Sequence, residues 1–147
     1  MAHRAGAHVA NLEFMQFHPT CLYSPMHRTF LITEALRGDG AVLRNLKGEE
    51  FMTKYHPMGA LAPRDIVAQS IDRELKHVGD KHVWLDCTQI PAAELRARFP
   101  NIFAMCKDMG IDITTQPIPV VPAAHYMCGG VLVDENATTS IAGLYAV

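Results

Sequence analysis

A proline-spaced segment near the end of the chain restricts the fold more than any other feature. Residues 117–122 read Pro-Ile-Pro-Val-Val-Pro. Proline fixes φ and removes a backbone donor, so this segment is excluded from a helix and is predicted to be extended and stiff. We expect it to deliver His125 and Tyr126 to a turn at Gly129 and Gly130.

One amphipathic helix is predicted over residues 63–78. Pro63 suits the first turn of a helix, and Gly79 suits the position just after its end. Apolar residues recur at helical spacing along one face of this segment, namely at Ile66, Val67, Ile71, Leu75 and Val78.

Shorter strands and helices alternate along the rest of the chain. Strands are predicted at residues 9–17, 83–87, 131–134 and 144–147, and helices at residues 30–36, 92–99 and 102–109. Gly38 is expected to cap the first of these helices, and residues 41–43 and 51 to flank a hairpin that turns at 45–48. The mixture predicts an α+β fold with antiparallel pairing. No Gly-x-Gly-x-x-Gly follows a predicted strand, so the chain carries no dinucleotide-binding fingerprint of its own.

Composition and charge exclude several classes of protein. Hydrophobic residues make up 49% and charged residues 19% of the 147 positions, which is the balance of a packed core. The formal net charge of −2 gives no electrostatic footprint for nucleic acid or for an anionic membrane. No apolar run approaches the roughly 20 residues that a membrane-spanning helix needs.

The cysteines are spaced too widely for a metal or redox motif. No two of the four form a Cys-x-x-Cys pair, so neither a zinc site nor a redox dithiol is predicted. Residues 1–7 lack the long apolar stretch of an export signal. We therefore expect free thiols in a reducing cytosol.

Arg64 is the first candidate for chemistry. It lies in the opening turn of the predicted helix, where the helix dipole opposes a cation by about 0.3–1 kcal/mol. One interpretation is a surface arginine that pairs with a carboxylate. The other is that backbone N–H groups, the dipole and the guanidinium together bind an anion at this helix start.

Other candidate positions also allow two interpretations. His18 and His125 lie on backbone stiffened by proline, so each is either an ordinary loop histidine or a fixed ring that donates to a carboxylate. Thr33 and Glu34 form either a solvated helix face or a pair in which Thr33 donates to a substrate and Glu34 orients a basic neighbour. The glycines at 129–130 form a simple turn, or they permit close approach of a flat ligand or of a second chain segment.

Five motifs in a fixed order resemble those of a known family. They are residues 11–14 (Asn-Leu-Glu-Phe), 16–20 (Gln-Phe-His-Pro-Thr), 33–41 (Thr-Glu-Ala-Leu-Arg-Gly-Asp-Gly-Ala), 61–65 (Leu-Ala-Pro-Arg-Asp) and 122–130 (Pro-Ala-Ala-His-Tyr-Met-Cys-Gly-Gly). The ordered set resembles the flavoprotein family of L-aspartate oxidases and of the succinate dehydrogenase and fumarate reductase flavoprotein subunits. The third, fourth and fifth motifs are most similar to those of the oxidases, and the dehydrogenase and reductase subunits come second.

The resemblance implies an α+β capping domain of a fumarate reductase-like flavoprotein with short stubs of the FAD-binding domain. Residues 1–10 would be one stub, residues 11–127 the capping domain over the substrate, and residues 128–147 the return stub. The cofactor FAD would be bound mainly by the missing FAD-binding domain. The fragment alone is therefore expected to be inactive.

The resemblance also implies a role for each matched residue. Arg64 matches the arginine that transfers a proton when the enzyme reduces fumarate, and Gln16 matches a glutamine beside the substrate. The pocket for the dicarboxylate would be lined by His18, Thr33, Glu34 and His125. The turn beside the flavin would contain Tyr126, Gly129 and Gly130.

The implied reaction is FAD-dependent oxidation of L-aspartate to iminoaspartate, with oxygen or fumarate as the acceptor. Hydride would pass from the α-carbon to the flavin, and the protein would supply orientation and electrostatics. Fumarate and succinate are the other dicarboxylates expected to bind. The product would enter quinolinate and NAD biosynthesis, with quinolinate synthase as a partner. The alternatives are a succinate dehydrogenase or fumarate reductase flavoprotein subunit and a non-catalytic dicarboxylate-binding module.

Overall fold

The computed structural model describes residues 1–25 and 29–147, and it divides the chain into two compact units. The first unit consists of Met1–Gln16 and Ala124–Val147, and the second unit is Phe17–Ala123. These boundaries lie several residues inside the predicted ones at 10/11 and 127/128. The assignment of the units to a capping domain and to stubs of an FAD-binding domain stays a prediction.

Strands and helices alternate in the described residues. The strands are β1 (Val9–Ala10), β2 (Met15–Leu22), β3 (Phe30–Leu31), β4 (Val42–Arg44), β5 (Val83–Asp86), β6 (Ile118–Met127) and β7 (Gly130–Val131). The helices are α1 (Glu34–Gly38), α2 (Arg64–Val78), α3 (Ala92–Arg98) and α4 (Pro100–Asp108). Short 3₁₀ turns lie at His3–Ala5, Met52–Lys54 and Gly59–Leu61. This mixture confirms the α+β class.

The strands form a five-stranded and a two-stranded sheet. The larger sheet has the order β3-β2-β6-β5-β4, and β1 pairs with β7 in the smaller one. Pairing is antiparallel between β2 and β3, β4 and β5, β5 and β6, and β1 and β7. In the larger sheet Leu85 is the partner of both Leu43 and Ile118. The predicted antiparallel pairing and the extended proline segment are both observed.

The core of the second unit lies on one face of the larger sheet. In β5 the buried residues Val83 and Leu85 alternate with the half-buried Trp84 and Asp86, as expected for a strand with one covered face. The helices α2, α3 and α4 contribute further buried side chains, which include Val67, Ile71, Leu95, Ile102 and Cys106. No helix in the described part of the chain has the length and apolarity to span a membrane.

The helix α2 follows the prediction closely. It spans Arg64–Val78 after Pro63, and Gly79 ends it in the left-handed conformation with φ 77°. Val67 and Ile71 are fully buried, as the apolar spacing requires. The side chain of Val78 lies outside the described residues. The predicted turn at 45–48 is also present, since Gly48 N–H donates to the carbonyl of Asn45 at 2.9 Å. The antiparallel bridge that closes the hairpin joins Arg44 to Glu50, one residue before the predicted flank at Phe51.

The helix predicted over residues 30–36 is wrong in its position. Phe30–Leu31 is instead strand β3, and the helix α1 begins only at Glu34 because Thr33 caps its N-terminus. Gly38 lies inside α1, so the predicted left-handed cap at Gly38 is also wrong. Asp39 follows as the C-cap, and the left-handed residue is Gly40, with φ 111°.

Two predicted strands are interrupted by local turns. The strand predicted over residues 9–17 breaks at Asn11, which adopts φ 60°, and Phe14 N–H donates to its carbonyl. In the strand predicted over residues 131–134, only Val131 belongs to a strand, because the Asp134 carboxylate accepts from two nearby backbone N–H groups and closes a turn. The predicted strand over residues 144–147 is reduced to one isolated bridge, between Thr138 and Tyr145.

Candidate active site

The N-termini of α1 and α2 bring Glu34 and Arg64 together. Arg64 Nε–H donates to Glu34 Oε2 at 2.8 Å, and both side chains are partly exposed. Pro63 supplies no side-chain cap, and the N–H groups in the first turn of α2 lie in the same region as the guanidinium. Glu34 therefore contacts a basic neighbour, as its predicted orienting role requires. The roles of both residues stay predictions.

A second arginine, Arg37, lies buried beside Glu34. Its residue is only 1% exposed, and its Nη2 lies 3.4 Å from the same Oε2 that Arg64 contacts. Its Nη1 donates to the carbonyl of Ala60, in the 3₁₀ turn just before α2. Arg37 thus joins α1 to the segment that carries Arg64.

Glu34 is held in its charged form by its neighbours. The hydrogen bond from Arg64 is the largest cause that lowers the pKa of Glu34, and the nearby charges of Arg37, Arg64 and His18 act in the same direction against the effect of burial. Burial lowers the pKa of Arg37, and Glu34 opposes that change. One carboxylate is therefore shared by two guanidinium groups, which leaves this trio with a formal charge of +1.

His18 is buried on β2, and a backbone hydrogen bond reaches its ring. It is 1% exposed, and the backbone N–H of Thr20 donates to its Nδ1 at 3.3 Å. A neutral ring that accepts at Nδ1 carries its hydrogen on Nε2. Pro19, between these two residues, keeps the backbone extended. The strand and this hydrogen bond thus fix the direction of the His18 ring.

Thr33 uses its hydroxyl oxygen for the helix. Thr33 Oγ1 accepts from the N–H of Ala35 at 3.4 Å, which is the N-cap interaction of α1. Accepting this bond leaves the hydroxyl hydrogen to donate in another direction. The predicted donation from Thr33 to a substrate is compatible with this arrangement and stays a prediction.

Five of the predicted site residues belong to the first compact unit, namely Gln16, His125, Tyr126, Gly129 and Gly130. Gln16 is half-buried in β2, whereas His125 and Tyr126 are exposed in the last part of β6. Their predicted roles beside the substrate and the flavin stay predictions.

Gly129 lies against a second chain segment. A Cβ placed on it would meet the carbonyl carbon and oxygen of Asn11 at 2.2 Å and the carbonyl oxygen of Ala10 at 2.3 Å. Gly130, in β7, has open space at the same point. Of the alternatives for this glycine pair, close approach of another segment explains Gly129. Contact of both glycines with the flavin stays a prediction.

Sequence reasoning missed Arg37 as a member of this cluster. Glu34 and Arg37 have the i, i+3 spacing at which helical side chains meet, and this spacing was the available signal. No local signal in the sequence indicates that Arg37 is buried or that it donates to the carbonyl of Ala60, 23 residues away. In the part of the chain that the structure describes, no group of His, Cys, Asp and Glu could hold a metal ion.

Comparison with known families identifies the chain as a flavoprotein module. The chain matches the FAD binding domain family over residues 1–147. It therefore belongs to the FAD binding domain family, for which the cofactor is FAD.

Its relatives confirm the resemblance found in the motifs. The chain is 60% identical over 147 residues to the L-aspartate oxidase of Pseudomonas aeruginosa and 56% identical to that of Acinetobacter baylyi, and it covers 27% of each. A solved quinol-fumarate reductase with menaquinol molecules matches all of this chain with a TM-score of 0.87 and 34% identity, over 28% of its own chain. The chain thus spans about a quarter of the length of the relatives it matches.

Proposed function

We propose that this chain is part of a flavoenzyme that oxidises L-aspartate to iminoaspartate with FAD. The reduced flavin would be reoxidised by oxygen or fumarate, and the product would enter quinolinate and NAD biosynthesis. The observation that carries this proposal is the cluster of Arg64, Glu34 and Arg37, because it places two guanidinium groups beside the start of a helix. High identity to L-aspartate oxidases supports the choice of substrate.

The positive charge of this cluster suits a carboxylate ligand. Guanidinium groups bind carboxylates through charge-assisted hydrogen bonds, so Arg64 suits a carboxylate of the substrate. Backbone N–H groups in the first turn of α2 and the dipole of that helix favour an anion at the same place. His18 would add a donor from its Nε2, and Thr33 one from its hydroxyl. Gln16 and His125 complete the proposed set of substrate contacts.

Arg64 is proposed to be the group that transfers a proton at the substrate carbon when fumarate is reduced. The hydrogen bond from its Nε to Glu34 fixes the direction of the guanidinium plane. The contact of Glu34 with the buried Arg37 holds the carboxylate in place in turn. Orientation of this kind lowers the barrier because the reacting groups are already in position.

The flavin is proposed to lie beside Tyr126, Gly129 and Gly130. The residues fit a flat apolar ring, because Gly130 has open space at its Cα and exposed apolar side chains flank it, namely Tyr126, Met127, Leu132 and Val133. When bound, FAD supplies the acceptor for the hydride of the substrate α-carbon. These residues would position the ring and exclude water from it.

The substitution Arg64→Leu in the full-length protein tests the proposed role of the cluster. Loss of a charged donor at a developing charge costs about 100- to 1000-fold in rate, so kcat/KM for L-aspartate is expected to fall by at least that factor. Arg73→Leu is the matched control, because Arg73 is exposed further along the same helix. A kcat/KM for Arg64→Leu within threefold of the control would refute the role of Arg64.

The product of the reaction tests the substrate. Release of ammonia from L-aspartate by the wild-type protein is expected, together with bleaching of the flavin in the absence of oxygen. A second candidate is a fumarate reductase or succinate dehydrogenase flavoprotein subunit, which the structural match to the quinol-fumarate reductase favours. Oxidation of succinate without any deamination of L-aspartate would select that candidate.

We further propose the cytoplasm as the compartment and quinolinate synthase as a partner. The four cysteines are free thiols, three of them buried, which fits a reducing environment. Iminoaspartate is a reactive product, so an enzyme that consumes it is the proposed partner. Co-purification of quinolinate synthase activity with the tagged full-length protein tests the partnership, and its absence at every salt concentration would contradict it.

A further inference from the structure

The ion pair between Asp39 and Arg98 secures the end of α1 that lies away from Glu34. Arg98, the last residue of α3, places its Nη1 2.9 Å from Asp39 Oδ2 and 3.4 Å from Glu94 Oε1. The side chain of Asp39 is only 14% exposed, whereas that of Arg98 is 53% exposed. Arg98 therefore reaches from the surface to a largely buried carboxylate on a different helix.

Asp39 occupies an electrostatically unfavourable position. It is the C-cap of α1, where its backbone N–H donates to the carbonyl of Ala35. An acidic side chain at the C-terminus of a helix is opposed by the negative end of the helix dipole. Burial of the carboxylate adds a desolvation cost unless a cation compensates it. Within the described residues, Arg98 is the cation that forms an ion pair with it.

The helix α1 depends on contacts of this kind for its position. It has five residues, and a helix of that length is not stable by itself. Leu36 anchors its middle in the core, and Arg37 ties it to the carbonyl of Ala60. The ion pair of Asp39 with Arg98 is one contact at its C-terminal end, beside the hydrogen bond from Gln89 Nε2 to the carbonyl of Gly40.

We propose that Arg98 is a positioning residue for the candidate active site: by holding Asp39 at the end of α1, it keeps Glu34 at the start of the same helix in contact with Arg64. This inference rests on the proposed function only for its kinetic consequence. Arg98 touches neither Glu34 nor Arg64, so it acts through the helix. Displacement of α1 would lengthen the contact from Arg64 Nε to Glu34 and disorient the guanidinium.

The test compares Arg98→Met with two matched controls in the full-length protein. Arg96→Met removes an exposed arginine of the same helix, one that lies over the ring of Phe103. Glu94→Gln removes the other carboxylate that Arg98 contacts, without touching α1. Hydrogen–deuterium exchange of the α1 amides is measured for each variant, together with kcat/KM for L-aspartate as a function of pH.

We expect Arg98→Met to raise exchange in α1 and to lower kcat/KM by about fivefold each, the upper end for the loss of an ion pair that has one solvent-exposed partner. The acid limb of the pH profile should move to higher pH, because a displaced Arg64 would stabilise the charged Glu34 less. Arg98→Lys should recover most of the loss, since it keeps the charge. Both controls should stay within twofold of wild type.

Two results would overturn the proposal. One is equal exchange in α1 for Arg98→Met and Arg96→Met. The other is faster exchange in α1 with an unchanged kcat/KM and pH profile, because Arg98 would then serve stability alone. The exchange comparison needs no substrate, so a failure of the proposed function, seen as a wild-type protein that does not oxidise L-aspartate, is recognised separately.

Discussion

Replacement of Gly129 by alanine is the change whose effect can be worked out most directly from the structure. The new Cβ would lie 2.2 Å from two backbone atoms of Asn11, whereas ordinary contacts of a Cβ begin at 3.4 Å. Relief of the overlap requires the two backbones to separate by roughly 1 Å, and neither side is a flexible side chain that can rotate away. The neighbouring pair in the β1–β7 ladder is Ala10 and Gly130, so the separation would strain that ladder.

The expected cost follows from the behaviour of overpacked sites. Insertion of a methyl group into a closely packed site costs about 1–3 kcal/mol. For a domain of about 150–250 residues, each 1 kcal/mol shifts the melting temperature by about 2–4 °C. We therefore expect Gly129→Ala to lower Tm by about 4–8 °C, as for a loss of about 2 kcal/mol.

Gly130→Ala is the matched control, because a Cβ at Gly130 meets nothing within 4 Å. Without FAD, its Tm should equal that of the wild type or rise slightly, since alanine reduces the entropy of the unfolded chain. Scanning calorimetry of the full-length protein, with and without FAD, is the assay. Equal Tm values for the two variants would refute the packing argument. A loss confined to the FAD-loaded protein would show that Gly129 serves the flavin and not the contact with Asn11.

The remaining predictions concern Glu34 and the buried thiols. The folded state lowers the pKa of Glu34, so its charge stabilises the fold above the ordinary pKa of about 4.3, and this stabilisation disappears as the pH falls through the lower folded value. Urea unfolding should therefore give a smaller difference between wild type and Glu34→Gln at pH 3 than at pH 7, and an equal difference would contradict the assignment. Burial raises the pKa of Cys87 to about 12 and that of Cys106 to about 11. Both thiols should resist iodoacetamide at pH 8 until the protein is unfolded, as followed by mass spectrometry, and modification at the rate of the unfolded chain would contradict their burial.

Elements with local signals at both ends could be predicted from the sequence. The helix α2 has Pro63 before it and Gly79 after it, and its buried positions repeat at the helical period. Both ends of this helix could therefore be predicted from the sequence. The segment at residues 30–36 lacks such signals at its start. There Phe30 and Leu31 pair with β2 despite their local helical propensity. The helix begins only after Thr33, which caps its N-terminus.

Two members of the candidate site, Glu34 and Arg64, were predicted from the sequence, but their arrangement was not. Motif resemblance identified Glu34 and Arg64, yet their hydrogen bond joins positions 30 residues apart and depends on how two helices are placed. The position of Arg37 shows the same limit, because its buried environment arises only when α1 packs beside the 3₁₀ turn at Gly59–Leu61. Long-range contacts of this kind have no periodicity in the sequence that could reveal them.

The short helix α1 links these observations into one physical argument. Its sequence places acidic side chains at both ends, Glu34 at the start and Asp39 at the C-cap. The first is favourable for the helix dipole and the second is not, so local energetics explain only Glu34. Arg98 of α3 compensates the charge of Asp39, and Arg64 of α2 forms the contact on which the proposed role of Glu34 rests. Each end of α1 is therefore matched to a cation from a different helix, and the site geometry depends on both matches because one five-residue helix connects them.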